Sequence, residues 1–139
     1  MATLAKAIAL AASAHEGQTD RGGSPYVFHP IRLMLRAVTG EEQIIAVLHD
    51  TIEDTSLTLD DLRKEGFSDS VVEAVDSLSR REEEDYDTFI LRIKQNPLAS
   101  RVKILDLLDN IEQTKKKKPS DKTRKRLDKY SRALDTLLT

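Results

Sequence analysis

Residues 47–55 contain the densest group of side chains in the chain that could take part in catalysis. His49 and Asp50 directly follow apolar residues, where an unpaired imidazole or carboxylate is costly to bury. Both side chains are ordinary ligands of divalent manganese, iron or zinc. Glu53 and Asp54 lie one helical turn beyond them if the helix continues. The pattern indicates a metal site beside two carboxylates; the alternative is a helix end with a surface histidine and a solvated acidic turn.

Two more polar residues stand in apolar surroundings. His29 lies in a short apolar segment, where a lone histidine is more often a satisfied core or capping residue than a ligand. Asp106 lies inside the apolar segment 102–108, where a carboxylate needs a partner. Together with His49 and Asp50, these residues make a better set of metal ligands than any one of them makes alone.

The composition narrows the chemistry of such a site. The 139 residues include three histidines and no cysteine, which excludes disulfides, thiolate zinc sites, iron–sulfur clusters and a cysteine nucleophile. A metal ion must therefore be held by histidine nitrogen and carboxylate oxygen. The 22 lysines and arginines nearly balance the 24 aspartates and glutamates, and aromatic residues make up only 4%, so we do not expect nucleic acid as a partner.

The sequence predicts neither a membrane span nor a signal peptide. No apolar run approaches the roughly 20 residues that cross a bilayer. The apolar segment that follows Lys6 is short and continues as an alanine-rich helix pattern, which is typical of mature protein. We therefore expect a cytoplasmic protein.

The pattern of elements predicts an all-α chain that forms one domain over residues 1–139. Good helix formers fill the periodic stretches, and no alternating β-branched run of strand length occurs. The second helix is expected over residues 30–40, with Leu35 and Val38 on its buried face, and the third over 41–51. Capping residues mark the expected starts of four other helices, at Thr3, Thr58, Ser68 and Asn96.

Several motifs occur in order along most of the chain. They are Ala-His-Glu-Gly-Gln at 14–18, Gly-Ser-Pro-Tyr-Val-Phe-His-Pro-Ile at 23–31, Leu-His-Asp-Thr-Ile-Glu-Asp-Thr at 48–55, and Val-Lys-Ile-Leu-Asp at 102–106 followed by Asn110. This series resembles the HD-type hydrolase domain of the RelA/SpoT alarmone enzymes, and most of all the stand-alone small alarmone hydrolases. The resemblance implies a compact multi-helix bundle with a central metal site and no synthetase or regulatory domain.

The resemblance also implies roles for individual residues. Glu53 and Asp54 match the carboxylate pair that manages the attacking water, and Asn110 matches an asparagine that contacts the substrate. The implied reaction is the metal-dependent hydrolysis of (p)ppGpp to GDP or GTP and pyrophosphate, with a small nucleotide as the partner. The metal ligands, usually of manganese, correspond to His29, His49, Asp50 and Asp106.

The chain departs from the family pattern at positions close to the nucleotide. Asp20 stands where the family has an arginine, and Arg21 follows one place later. Leu107 and Asp109 replace an arginine and a histidine, and Gln113 replaces a threonine. These changes leave the expected metal ligands intact and affect the residues expected to recognise guanosine.

Three basic side chains are candidates for contacts with substrate phosphates: Arg21, Lys103 and Arg32. The lysine- and arginine-rich segment 115–126 is interpreted as a solvated helix end, with steering of a polyphosphate or weak nucleic-acid contact as its functional alternatives.

Two other functions of the whole chain remain open. One is hydrolysis of a different nucleoside phosphate, and the other is a non-catalytic nucleotide- or RNA-binding module with the same fold.

Overall fold

Nine α-helices form the regular structure of residues 2–139, the part of the chain described by the computed structural model. No helix in this part has both the length and the apolar composition needed to span a membrane. The helices are α1 (Leu4–Ala14), α2 (Phe28–Arg36), α3 (Gly40–Leu48), α4 (Thr51–Asp54), α5 (Leu59–Lys64), α6 (Asp69–Ser77), α7 (Tyr86–Lys94), α8 (Pro97–Lys115) and α9 (Asp121–Leu138).

The predicted helix starts at Thr3, Thr58, Ser68 and Asn96 are confirmed. Each of these side chains accepts a hydrogen bond from the backbone N–H three residues later, which satisfies one of the free donors of a first helical turn. Pro97 follows Asn96 at the first position of α8, where the N–H that proline lacks would have no helical partner. Local sequence therefore determines where these helices begin.

The boundary between α2 and α3 differs from the prediction. Gly40 does not end α2 but opens α3, because Thr39 caps α3 in a reciprocal capping box with Glu42. Helix α2 ends earlier, at Arg36. The expectation that Leu35 and Val38 are buried is wrong, since they are 73% and 90% exposed.

Helix α3 lies at the centre of the fold and packs against α1, α2, α6 and α8. Ile45, Val47 and Leu48 are fully buried, as expected for a central helix. The predicted third helix is interrupted after Leu48, and a separate turn of helix, α4, begins at Thr51. The two residues between these helices, His49 and Asp50, are thereby held at the inner end of α3.

Candidate metal centre and its cleft

Three parts of the fold contribute the predicted metal ligands. His29 is the second residue of α2, His49 and Asp50 join α3 to α4, and Asp106 lies in the middle of α8. Both α2 and α8 pack against α3, so their inner faces meet where α3 ends. His29, His49 and Asp106 are all buried.

The structure brings all four of these side chains together. Ligand atoms of His29, His49 and Asp50 lie within 4.8 Å of one another. His29 Nε2 is 2.7 Å from Asp106 Oδ1, and His49 Nε2 is 3.0 Å from Asp50 Oδ2 and 3.5 Å from Asp106 Oδ1. Two imidazole nitrogens thus face two carboxylates across a small volume.

The environment of His49 fits a cation. Its Nδ1 donates to the carbonyl oxygen of Ala46 at 2.7 Å, which leaves Nε2 directed at the carboxylates. Nε2 is buried without a hydrogen-bond partner, although Asp50 Oδ2 lies 3.0 Å and Asp106 Oδ1 3.5 Å away. Burial lowers the pKa of His49, but Asp50 and Asp106 outweigh burial and raise it well above the usual value. The carboxylates therefore favour positive charge at this point, and the donor set suits a divalent ion of the manganese, iron or zinc type.

A second carboxylate contacts His29 from the opposite side of its ring. Asp109 Oδ2 accepts from His29 Nδ1 at 2.6 Å, and both Asp109 oxygens accept from Arg32, at 2.9 Å from Nε and 3.0 Å from a terminal nitrogen. Burial raises the pKa of Asp109, but the hydrogen bonds from His29 and Arg32 outweigh burial and lower it to about 2. In the sequence Asp109 stands out only as a departure from the family pattern, and its contact with His29 was not predicted.

Tyr26 and the 14–18 motif support the site from the loop before α2. The Tyr26 hydroxyl donates to Asp50 Oδ2, and burial with the nearby Asp50 charge raises the tyrosine pKa, so the hydroxyl stays protonated. His15 packs beside the Tyr26 ring, and its Nδ1 donates to Gln18 Oε1 at 2.9 Å. Gln18 in turn donates to the backbone oxygen of Asp54 at 3.0 Å. These residues belong to motifs seen in the sequence, but no role had been predicted for them.

The two predicted catalytic carboxylates point in different directions. Asp54 lines the cleft in front of the candidate metal site. Burial raises its pKa to about 6, with contributions from the charges of Asp50 and Glu53. Glu53 does not line this cleft; its Oε1 accepts from the backbone N–H of Arg80 at 2.6 Å.

The predicted substrate residues also separate into two groups. Arg21 and Asn110 line the cleft, and Asn110 Nδ2 lies 3.4 Å from Asp106 Oδ1. Lys103 is largely buried, and its Nζ lies 2.7 Å from Asp106 Oδ2. Burial lowers the pKa of Lys103, but Asp106 raises it and prevails, so the ammonium is a charge partner of the Asp106 carboxylate.

The cleft has a volume of about 530 Å³ and an uneven distribution of charge. His29, Asp50 and Asp106 of the candidate metal site lie among its lining residues. The remaining lining includes basic and polar side chains from the loop before α2, from α2 itself, from the end of α8 and the residues just after it, and from α9: Arg21, Arg32, Asn110, Gln113, Lys116, Lys117 and Tyr130. A ligand with several phosphate groups fits this combination of a cation site and basic lining.

Comparison with known proteins identifies the family. The chain is 30% identical over 118 residues to the guanosine-3′,5′-bis(diphosphate) 3′-pyrophosphohydrolase of Aquifex aeolicus, a match covering 76% of this chain and 17% of that protein. It is 31% identical over 123 residues to the bifunctional (p)ppGpp synthase/hydrolase SpoT of Escherichia coli K12, covering 78% of this chain and 17% of SpoT. The chain belongs to the HD hydrolase domains of the RelA/SpoT family.

The HD hydrolase domain also matches a solved structure. That structure is of a metazoan ortholog of SpoT that hydrolyses ppGpp, with a TM-score of 0.80 and 22% sequence identity. The match covers 99% of this chain and 86% of the other, so the predicted all-α HD fold is confirmed. No family model matches the chain. The chain spans about a sixth of the length of the curated relatives described above.

Proposed function

We propose that residues 1–139 form one hydrolase domain that uses a divalent metal ion, manganese in the first place, to remove the 3′-diphosphate of (p)ppGpp. Water would enter and pyrophosphate would leave, giving GDP or GTP. The main support is the buried and unpartnered Nε2 of His49, which faces two carboxylates beside an open cleft. Relatives named as 3′-pyrophosphohydrolases of the same nucleotide add to this support. We also propose that the protein acts in the cytoplasm, where nucleotides are made and used.

His29, His49, Asp50 and Asp106 would hold the ion. When bound, a divalent cation supplies a positive charge that polarises a phosphoryl oxygen and makes a nearby water more acidic. Tyr26 would keep the Asp50 carboxylate in place through the hydrogen bond from its hydroxyl. Lys103 would balance the charge of Asp106 from the interior of the protein.

Asp54 is the proposed acceptor of the proton from the attacking water. It lines the cleft, and its raised pKa of about 6 is close to the working pH, which favours a general base. Glu53 would act less directly, because its carboxylate is bound to the backbone N–H of Arg80. Its negative charge helps to raise the Asp54 pKa.

The basic lining of the cleft would bind the phosphates that are not cleaved. Arg21, Lys116 and Lys117 lie on this lining and have no carboxylate partner among the ion pairs of residues 2–139. Asn110 would donate a hydrogen bond to the same ligand. Cations distributed in this way compensate a tetra- or pentaphosphate better than a monophosphate.

One observation favours a different nucleoside phosphate as the second candidate. Asp20, which stands where the family has an arginine, uses its Oδ1 to accept from the backbone N–H groups of Gly22 and Ser24 at 2.9 and 3.0 Å. Its side chain therefore shapes the loop and does not supply the arginine contact of the family pattern. Without that arginine contact, the cleft could accept a nucleotide with a base other than guanine.

A release assay over a panel of nucleotides tests the proposal. EDTA-treated protein is supplied with Mn²⁺ and then with ppGpp, pppGpp, GDP, GTP and adenosine counterparts, and products are measured by ion chromatography. We expect GDP and pyrophosphate from ppGpp, little product from GDP or GTP, and no activity in His49→Ala. Glu112→Gln, which alters a surface ion pair with Arg36, is the control expected to keep wild-type activity.

Two results would contradict the proposal in different ways. Hydrolysis of another nucleotide without hydrolysis of ppGpp would refute the alarmone assignment and leave the metal-dependent hydrolase in place. Absence of hydrolysis on the whole panel, with RNA binding that weakens when Lys115 to Lys118 are neutralised, would favour the binding module.

A further inference from the structure

Asp109 is a fully buried carboxylate on the lining of the cleft. It is 0% exposed, and its two oxygens accept three hydrogen bonds: one from His29 Nδ1 at 2.6 Å and two from Arg32 at 2.9 and 3.0 Å. Neither Asp109 nor Arg32 is needed for holding the ion or activating water in the proposed function. Burying a charged carboxylate is costly, so we expect Asp109 and its three hydrogen bonds to have a role of their own.

The contact with Asp109 requires a proton on Nδ1 of His29. An ionised carboxylate only accepts hydrogen bonds, so His29 Nδ1 must be the donor. The other nitrogen, Nε2, faces the candidate metal site and lies 2.7 Å from Asp106 Oδ1. When a cation binds, Nε2 would give up any proton that it shares with Asp106 and present its lone pair, while Asp109 keeps the proton on Nδ1. Histidines that ligate metals commonly donate their second N–H to a carboxylate, which fixes the ring and makes the ligating nitrogen more basic.

Arg32 holds Asp109 in the orientation that this contact requires. Its forked pair of hydrogen bonds fixes the carboxylate plane, and its charge offsets the cost of burying Asp109. Arg32 comes from α2, one turn after His29, while Asp109 comes from α8, three residues after Asp106. The pair therefore ties together the two helices that supply these two candidate ligands.

A histidine at position 109, as in the family motif, would not support the same arrangement. A neutral imidazole has one acceptor nitrogen and cannot accept from His29 and from two nitrogens of Arg32 at once. The combination of Asp109 with Arg32 in this chain is therefore a distinct way of holding His29.

We propose that Asp109, held by Arg32, is a positioning residue that fixes the orientation and the Nδ1–H tautomer of His29 for binding of a divalent cation. The inference rests on the proposed role of His29 as a metal ligand. Asp109 touches neither the ion nor the substrate in this scheme and acts through the imidazole.

The chain provides a matched control one turn further along the same two helices. Arg36 of α2 and Glu112 of α8 form an ion pair at 2.5 Å, so this pair also links α2 to α8. Both side chains are exposed, and neither contacts His29. Glu112→Gln therefore weakens the link between the helices without changing the histidine.

The first test measures Mn²⁺ affinity of the full chain by isothermal titration calorimetry at fixed pH and salt. Asp109→Asn keeps the size of the side chain but removes its charge, and we expect its dissociation constant to rise roughly 10- to 100-fold. Glu112→Gln should stay within about twofold of wild type. Thermal unfolding of both variants without metal verifies that they are folded.

The second test observes the histidine directly in the wild-type protein, so it does not depend on a variant that folds. With ¹⁵N-labelled histidine and Zn²⁺ as a diamagnetic ion, the His29 signals should show a protonated Nδ1 and a metal-shifted Nε2. In Asp109→Asn we expect the Nδ1 proton signal to be lost or to broaden.

Two results overturn the inference while leaving the proposed function in place: ligation of His29 through Nδ1, or an unchanged Mn²⁺ affinity in Asp109→Asn. A wild-type protein that binds no Mn²⁺ contradicts the proposed metal site itself and this inference with it. The wild-type and variant titrations therefore distinguish the two failures.

Discussion

Manganese is expected to stabilise the folded protein, and replacement of His49 by alanine is expected to remove most of this effect. The four candidate ligands are brought together only by folding, because His29 and Asp106 are 77 residues apart in the chain. An ion held by all of them binds the folded state in preference to the unfolded chain. Its binding would also give the buried Nε2 of His49 a partner.

The size of the effect follows from the length of the chain and from mass action. Free Mn²⁺ at 100 times its dissociation constant adds about 2.7 kcal/mol to the free energy of unfolding. With an unfolding entropy of about 2.1 cal/mol/K per residue, the 139 residues give roughly 0.29 kcal/mol/K at the melting temperature. The melting temperature should therefore rise by about 9 °C.

Differential scanning calorimetry of EDTA-treated protein, with and without Mn²⁺, measures this shift. His49→Ala should unfold at nearly the same temperature in both conditions. Glu82→Gln, in the exposed acidic stretch before α7, is the control for weak surface binding and should keep the full shift. An equal shift in wild type and His49→Ala would show that the ion binds elsewhere and would refute the proposed ligand set.

Three further outcomes are expected. Asp54→Asn should lower kcat on ppGpp roughly 100-fold or more, because it loses the proton acceptor, while calorimetric titration should find Mn²⁺ affinity nearly unchanged. Ile45→Ala should reduce the free energy of unfolding in urea by about 2–5 kcal/mol, because it opens a cavity in the fully buried centre of α3. Hydrogen bonds from Arg92 lower the pKa of Glu84 to about 2, so its contribution to stability is present above its ordinary value of 4.5 and is lost as pH falls towards 2. In urea unfolding between pH 2 and 6, Glu84→Gln should therefore show a weaker pH dependence than wild type.

The helix starts at Thr3, Thr58, Ser68 and Asn96 were predictable because each depends on a hydrogen bond that spans three residues. The end of α2 was less predictable. A glycine is common just after a helix end and is also tolerated at a helix start. The capping box formed by Thr39 places Gly40 at the start of α3.

The identities of the candidate metal ligands were also present in the sequence. A chain without cysteine has only histidine and carboxylates for such a site, and His29, His49, Asp50 and Asp106 stand among apolar residues that make polar side chains conspicuous. The motifs around them carried the resemblance to the RelA/SpoT family. Residue type and local context were sufficient for both.

The tertiary structure alone decided what surrounds those ligands. Asp109 and His29 are 80 residues apart, and no periodicity within α2 or α8 indicates that the two side chains meet. Packing also separates the surroundings of Glu53 and Asp54, which are neighbours in the chain. Glu53 accepts a hydrogen bond from a backbone N–H, whereas Asp54 lines the cleft. Local sequence determined helix starts and ligand types because both depend on short-range interactions. The partners of each polar side chain depend on how the helices pack, because packing determines which distant groups come within hydrogen-bond distance.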